Sequence, residues 1–263
     1  MKNGPATARK TQAHFGRQAR LYAQSDAHRA GDSLETIARY AARGRFDTAV
    51  DLGTGAGFTA FAIAPYARSV LATDIAPAML SEARRLATER NLANVGFLAT
   101  EAEHLPFAAS TLDVIACRHA AHHFHDLPMA VQEVHRTIRT NGSFLLADTI
   151  APEGEYEAAW MNDVEVRRDS THQRNLRASE WRSLLNKAGF AITHSSVVKV
   201  NLEFNDWVQR AATSQGEVDV LRRDFLAAPP SVRAAFGIQG NGNVINFYWS
   251  VLALRAVKQT RRS

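Results

Sequence analysis

Two carboxylates and three glycines stand where a nucleotide-binding turn is usually built. The run Val50-Asp51-Leu52-Gly53-Thr54-Gly55-Ala56-Gly57 joins an apolar strand pattern to a helical one, the setting a glycine-rich cofactor turn requires. A dinucleotide turn places its third glycine at position 58, where helix and strand pack closely; here that residue is Phe58. Asp51 would repel a pyrophosphate, whereas an ammonium and a sulfonium would be drawn to it. The residue types therefore favour S-adenosylmethionine over NAD. Asp74 closes the next strand pattern 21 residues beyond Gly53, where a carboxylate can accept from two ribose hydroxyls; the competing reading is a helix N-cap ahead of Pro77. Glu101-Ala102 ends the third strand pattern, offering an acid for an adenine amino group and a backbone N–H for a ring nitrogen. Ile75 is placed to cover one adenine face or to serve as plain core.

A second group follows the fourth strand pattern: His119, His122, His123 and His125. These histidines lack the H-E-x-x-H arrangement, and a strand-to-helix turn does not hold i, i+4 spacing on one face, so no metal site is expected. They serve packing and capping, or they meet a substrate; an imidazole is neutral near pH 7 and can accept a proton. His122 and His123 are the candidate general bases, and His119 is a candidate substrate contact. Cys117, the single cysteine, lacks the preceding proline of cytosine-5 methyltransferase nucleophiles and reads as a small buried hydrophobe. The Asn/Asp-Pro-Pro-aromatic motif of amino-methylating nucleic-acid enzymes is absent, with His119-Ala120-Ala121 in its place. Farther on, Arg167-Arg168-Asp169-Ser170-Thr171-His172-Gln173-Arg174 supplies donors that could hold an anionic group, with Arg168 and His172 as the candidate contacts; a solvated helix end is the plainer alternative.

These residues need elements to position them. From Thr48 onward short apolar runs alternate with helical patterns, which predicts βαβ units and a mostly parallel sheet. Strands are expected at Ala49–Leu52, Val70–Ile75, Val95–Thr100, Leu112–Arg118 and Ser143–Ile150, each as apolar as a strand buried on both faces. Pro77 opens a helix whose apolar face carries Met79, Leu80, Ala83, Leu86 and Ala87. Asp126 is an N-cap candidate for the next helix, which Asn141-Gly142 ends. Thr11–Arg43 reads as two helices parted near Gly31-Asp32-Ser33. After Ile150 come a helical stretch, a helix near Ala178–Ala188 stopped by Gly189, a strand from Ala191 to Val200, a largely helical stretch over Asn201–Phe236, and a long final strand from Asn243 to Val257. About forty residues part the last two strands, too many for a hairpin turn, so they form a cap or lid, or an inert elaboration.

Composition narrows the setting. The 263 residues are 46% hydrophobic and 22% charged, ample for a packed core and unlike a disordered chain. No apolar run approaches the roughly 20 residues of a spanning helix, and no apolar segment follows the first basic residues, so neither a membrane span nor a secretory signal is expected. One cysteine excludes an internal disulfide and multi-cysteine metal sites, which suits a reducing cytoplasm. Residues 1–30 and 255–263 together carry +9 of a total of +5, leaving the body at −4. Basic residues kept at the ends argue against a nucleic-acid groove.

The ordered set Asp51 to Gly57, Asp74, Thr100-Glu101-Ala102-Glu103-His104-Leu105-Pro106-Phe107, Leu112-Asp113-Val114-Ile115 and Arg139-Thr140-Asn141-Gly142-Ser143-Phe144 resembles the class I S-adenosylmethionine-dependent methyltransferases, and within them the type 11 group around the ubiquinone/menaquinone biosynthesis C-methyltransferases. The likeness is strong over about residues 45–150. It implies an α/β, Rossmann-like, seven-stranded sheet with its last strand antiparallel, in one methyltransferase domain over 1–263: N-terminal helices (1–44), a cofactor-binding core (45–150), then substrate-side helices, a helical cap and the last two strands (151–263). S-adenosylmethionine would meet Asp51, Gly53, Gly55, Ala56, Asp74, Ile75, Met79, Glu101, Ala102 and Arg118, the last beside the methionine portion. Tyr22 and His14 would close over the site by family analogy, with Tyr22 on the substrate. The chain departs from the quinone enzymes at Tyr22-Ala23, where they carry Tyr-Asp, and at Arg118-His119-Ala120-Ala121-His122-His123-Phe124-His125-Asp126, which argues against a quinone. The expected activity is methyl transfer to a small-molecule acceptor, with an NAD-dependent oxidoreductase or a cofactor-binding protein that does not methylate as alternatives. A homodimer is left open.

Overall fold

The computed structural model describes residues 4–24, 29–242 and 244–260. Helices α1 (Gly4–Gln24) and α2 (Asp32–Ala41) precede strand β1 (Phe46–Leu52). There follow α3 (Phe58–Ile63), β2 (Ala67–Asp74), α4 (Pro77–Glu89), β3 (Val95–Ala99), β4 (Leu112–Arg118), α5 (Leu127–Thr137) and β5 (Ile138–Ile150). The second half comprises α6 (Glu155–Arg168), α7 (Ala178–Lys187), β6 (Phe190–Glu203), three cap helices α8 (Phe204–Arg210), α9 (Gln215–Leu226) and α10 (Pro230–Phe236), the short β7 (Gln239–Gly240), and β8 (Ile245–Lys258). Asn243, where the expected final strand begins, lies outside the described residues.

The sheet runs β3-β2-β1-β4-β5-β8-β6, with the two-residue β7 paired to β8. Strands β1 to β5 are parallel, while β8 is antiparallel to both β5 and β6. Seven strands thus match the expectation, and β7 is a short addition to them. Side chains alternate along each strand between two apolar layers. Ala49, Val70, Ala72, Val114, Ala116, Leu145 and Ala147 face α2 and α3. Val50, Ile115, Cys117, Phe144 and Leu146 face α5 and α7, where Trp181 and Leu185 are fully covered. Burial on both faces explains why these strands read as continuous apolar runs.

Local chemistry sets the helix starts. Pro77 occupies the first turn of α4, and Asp126 caps α5 by accepting from Met129 N at 2.9 Å, a contact worth about 1 kcal/mol. The helix ends at Thr137, not at Asn141-Gly142; β5 begins at once, and Asn141 takes a left-handed φ of 65° within it. The cap has its own apolar cluster, in which Phe204, Trp207 and Phe225 meet Phe247 and Trp249 of β8. Strands β6 and β8, 14 residues each, extend past their neighbours and supply the platform for it.

Candidate active site

The strand order reverses between β1 and β4, and ligands of open α/β sheets bind at the carboxyl ends beside such a switch. A cleft of about 950 Å³ opens there. Gly53, Gly55 and Gly57 all have positive φ (67°, 53° and 94°), conformations that a side chain would strain. A Cβ on Gly53 would come within 2.5 Å of Ala120 Cβ, whereas one on Gly55 meets nothing within 4 Å and would project into open space. Gly55 therefore keeps a backbone cradle clear.

Asp51 is fully buried behind this turn. Its Oδ2 accepts from Thr54 Oγ1 (2.5 Å) and Ala60 N (2.9 Å), while Oδ1 is buried with no hydrogen-bond partner. Burial pushes its carboxyl up to about 7, although the Thr54 hydroxyl and the Arg118 charge pull the other way. Arg118, at the end of β4, donates to Thr59 Oγ1 (3.0 Å) and Ser33 Oγ (3.3 Å), and desolvation holds it down at about 10. Asp74 joins two elements: Oδ2 accepts from Gly55 N (2.9 Å) and Oδ1 from Ala76 N (2.8 Å), the residue before α4. It is thus the turn's tether and a cap for the helix start at once, and burial raises it to about 6. Gly53, Gly55, Ala56, Asp74, Ile75, Met79, Glu101, Ala102 and Arg118 all line the cleft; Asp51 does not, lying beneath the turn. Glu103 and His125 line it as well, paired at 2.8 Å. Helix α1 roofs it with Phe15 and Tyr22, held by Gln12 Nε2 on Ile75 O (3.1 Å) and by Met79 packing on Ala19.

A second chamber of about 790 Å³ shares Phe15, Tyr22, His119 and His123 with the first. His122 lines only this one. Its Nδ1 is 2.6 Å from Asp148 Oδ1, and its backbone N donates to Asp148 Oδ2 at 3.0 Å. The carboxylate can only accept, so Nδ1 carries the proton and Nε2 is left basic. Burial lowers the imidazole's affinity for a proton, but the charge and hydrogen bond of Asp148 outweigh it and raise His122 above its ordinary value. His123 lies 4.2 Å away, ring to ring, with Nδ1 3.1 Å from Thr171 Oγ1, whose hydroxyl donates to Asp169 Oδ1 at 2.6 Å. Burial and the charge of His122 drive His123 down to about 3. His172 closes the cluster 5.3 Å from His122, and burial lowers it strongly too. Among the described residues no three ligand-type side chains are grouped as a metal site would need. Cys117 is buried and its thiol pushed well up by burial, so it is no nucleophile.

The donors expected between Arg167 and Arg174 divide. Arg167 is held by Asp163, Glu217 and Asp224, and Arg174 by Glu180, both away from the chamber. Arg168 and His172 line it, together with Arg210 and Trp207 from the cap. The helical insertion therefore forms part of the wall of this chamber.

Comparison with known proteins agrees with this architecture. Residues 50–146 match the family model described as a methyltransferase domain. Over 247 residues the chain is 30% identical to the uncharacterized methyltransferase YcgJ of Bacillus subtilis, covering 93% of this chain and 98% of that one. The crystal structure of YcgJ superposes with a TM-score of 0.83 at 31% identity, covering 87% and 98% of the two chains. The uncharacterized protein YafE of Escherichia coli is 33% identical over 190 residues, 72% of this chain and 92% of YafE.

The chain belongs to the class I S-adenosylmethionine-dependent methyltransferases. That membership sets aside the oxidoreductase alternative, in keeping with Phe58, which packs edge-on against Phe61 in the core where a dinucleotide turn needs glycine. In this methyltransferase several site residues escaped the sequence. Asp148 interrupts the apolar run from Phe144 to Ile150, a signal that could have marked it. Ser33 and Thr59 carried none, since an ordinary hydroxyl residue becomes a partner of Arg118 only through folding, and Thr171, inside the expected donor run, was marked there for an anion and not for His123. No helix among the described residues is long and apolar enough to cross a membrane.

Proposed function

We propose that the cleft at the β1–β4 switch holds S-adenosylmethionine, that the second chamber holds a small-molecule acceptor, and that His122 removes the acceptor's proton. The observation that carries the reading is the pair of chambers meeting at a shared wall, with a carboxylate-backed histidine in the second. The cleft suits the cofactor because Gly55 leaves its backbone open to it, a Cβ there meeting nothing within 4 Å, and because Asp74, Glu101 and Arg118 line the same space. Asp74 would take the ribose, Glu101 and Ala102 the adenine, Ile75 and Met79 its faces, and Arg118 the methionine carboxylate. The bound cofactor supplies a methyl group already activated by its sulfonium.

The chain's own work is then to align the acceptor, exclude water and move one proton. Tyr22, buried with its hydroxyl pushed up to about 12 by desolvation, stays protonated and serves as a donor at the partition. His119, held at a left-handed φ of 52° with Nε2 3.2 Å from Ser33 Oγ, keeps a strained backbone beside the site, where such strain is commonly stored. His122 is favoured over His123 as base because its orienting partner is a carboxylate in direct contact; His123 reaches Asp169 only through Thr171. Asp148 is a positioning residue. General-base assistance contributes about 10²–10⁴ in rate.

Calorimetry should show binding of S-adenosylmethionine and of its demethylated product, and none of NAD. Incubation with methyl-labelled cofactor and a cell extract, read by mass spectrometry, should then yield a labelled small molecule. Binding of NAD alone would end the reading.

A further inference from the structure

The second chamber contains two guanidinium groups whose hydrogen-bonding capacity the protein leaves partly unused. Arg168, at the end of α6, stands 3.2 Å from Glu165 Oε2 through Nε and 4.0 Å from Asp169 Oδ2. Neither approach is aligned as a hydrogen bond, and its buried Nε has no acceptor. Glu165 is engaged elsewhere, its Oε1 accepting from Trp249 Nε1 (2.6 Å) and Trp207 Nε1 (3.3 Å). Arg210, at the end of α8, reaches Asp206 of its own helix through Nε, and its terminal nitrogens make no hydrogen bond among the described residues. Burial first, and then the charge of Arg168, lowers the pKa of Arg210, so the two cations lie near enough to repel. A buried donor without an aligned acceptor, and two cations in one chamber, are both unfavourable unless a ligand completes them.

We infer that this chamber takes an organic monocarboxylate, its carboxylate held between Arg168 and Arg210 and its apolar body resting on Val200, Leu202, Trp249 and Val251. The inference rests on the second chamber being the acceptor's. The planar guanidinium fork matches a carboxylate in a two-point contact. A single negative charge is selected because Glu165, which lines the same chamber, stands 3.2 Å from Arg168 and Asp169 4.0 Å from it, so a doubly charged phosphate ester would meet carboxylate charge at short range. Val200, Leu202, Trp249 and Val251 give the remaining wall an apolar stretch, beside the histidines and the polar Tyr22, Thr149, Glu165 and Asn175, which suits an uncharged body and leaves the methylated atom to the His122 side.

The first test uses the unaltered full-length protein. Hexanoate and indole-3-carboxylate are titrated by calorimetry, each against its primary amide, with inorganic phosphate as competitor. The acids should bind roughly tenfold or more tighter than the amides, and phosphate should not displace them. Arg168→Gln and Arg210→Gln should each remove that preference while leaving the amides unaffected. Arg168 also packs 5.1 Å over the Trp207 ring, so its variant can lose the fold; Arg210→Gln and the acid-to-amide ratio then decide. Amides that bind as tightly as acids, absence of binding by either acid, displacement by phosphate, or an acid preference that survives in Arg210→Gln would each overturn the assignment. S-adenosylhomocysteine is titrated separately into the same protein: its failure to bind counts against the cofactor cleft, whereas the acid-to-amide ratio alone judges the carboxylate.

Discussion

Replacing Asp51 by Asn should separate cofactor binding from stability, with opposite signs. Burial raises the Asp51 carboxyl to about 7, against an ordinary value of about 3.9, and each pH unit of that difference is worth about 1.4 kcal/mol. The fold therefore holds the proton more tightly than the unfolded chain. This contribution to stability is complete below about pH 4 and is lost as pH rises through about 7, a total of about 4 kcal/mol by pH 8. Asn keeps an acceptor for Thr54 Oγ1 and Ala60 N and carries no charge. It also takes from Arg118 a carboxylate that supports its charge, which offsets part of the gain. The net expectation at pH 8 is a stabilisation of about 1–3 kcal/mol, with a flatter dependence on pH between about 4 and 8. S-adenosylmethionine affinity should fall several-fold, because Asp51 lies beneath the turn and acts on a cationic cofactor through its charge and not by contact. Urea unfolding at several pH values and calorimetry measure the two effects. A variant less stable than the parent at pH 8 that binds the cofactor normally would refute the reasoning and make Asp51 a structural residue.

Asp148→Asn should shift the acidic limb of the rate profile to lower pH, because the carboxylate that raises His122 is gone, and should lower kcat by about 10–100-fold; His122→Gln should abolish the limb, and a profile unchanged in both would remove His122 as base. Asp74→Ala should weaken cofactor binding and also cost about 2–4 kcal/mol of stability, because the N–H groups of Gly55 and Ala76 lose their acceptor; calorimetry and denaturation read the two separately. Gly55→Ala should lower cofactor affinity with only about 1 kcal/mol of backbone strain, whereas Gly53→Ala, whose Cβ would strike Ala120, should be the less stable protein; equal melting temperatures would contradict this. Methyl transfer should survive EDTA, and metal-restored activity after chelation would reopen the histidines as ligands.

The sequence by itself determined the core because its signals are local. Alternating apolar runs, Pro77 at a helix start, the Asp126 cap and a glycine turn with an acid before it all act within a few residues, and the sheet from β1 to β5 follows from them. Phe58 and Asp51 excluded a dinucleotide turn by size and charge alone. What only the tertiary structure decided is pairing across the chain. His122 and Asp148 are 26 residues apart, and His123 and Thr171 are 48 apart; no spacing rule joins residues brought together by parallel strand register and a returning helix. The anion-binding run failed as a unit for the same reason: α6 turns Arg167 outward to three carboxylates and Arg168 inward, and Arg210 arrives from the cap more than forty residues later. Asp74 shows the limit most plainly. Ligand contact and helix cap were rival readings of one residue, and the fold, by bringing Gly55 N and Ala76 N to its two oxygens, gives the carboxylate a structural task at the edge of the cleft itself.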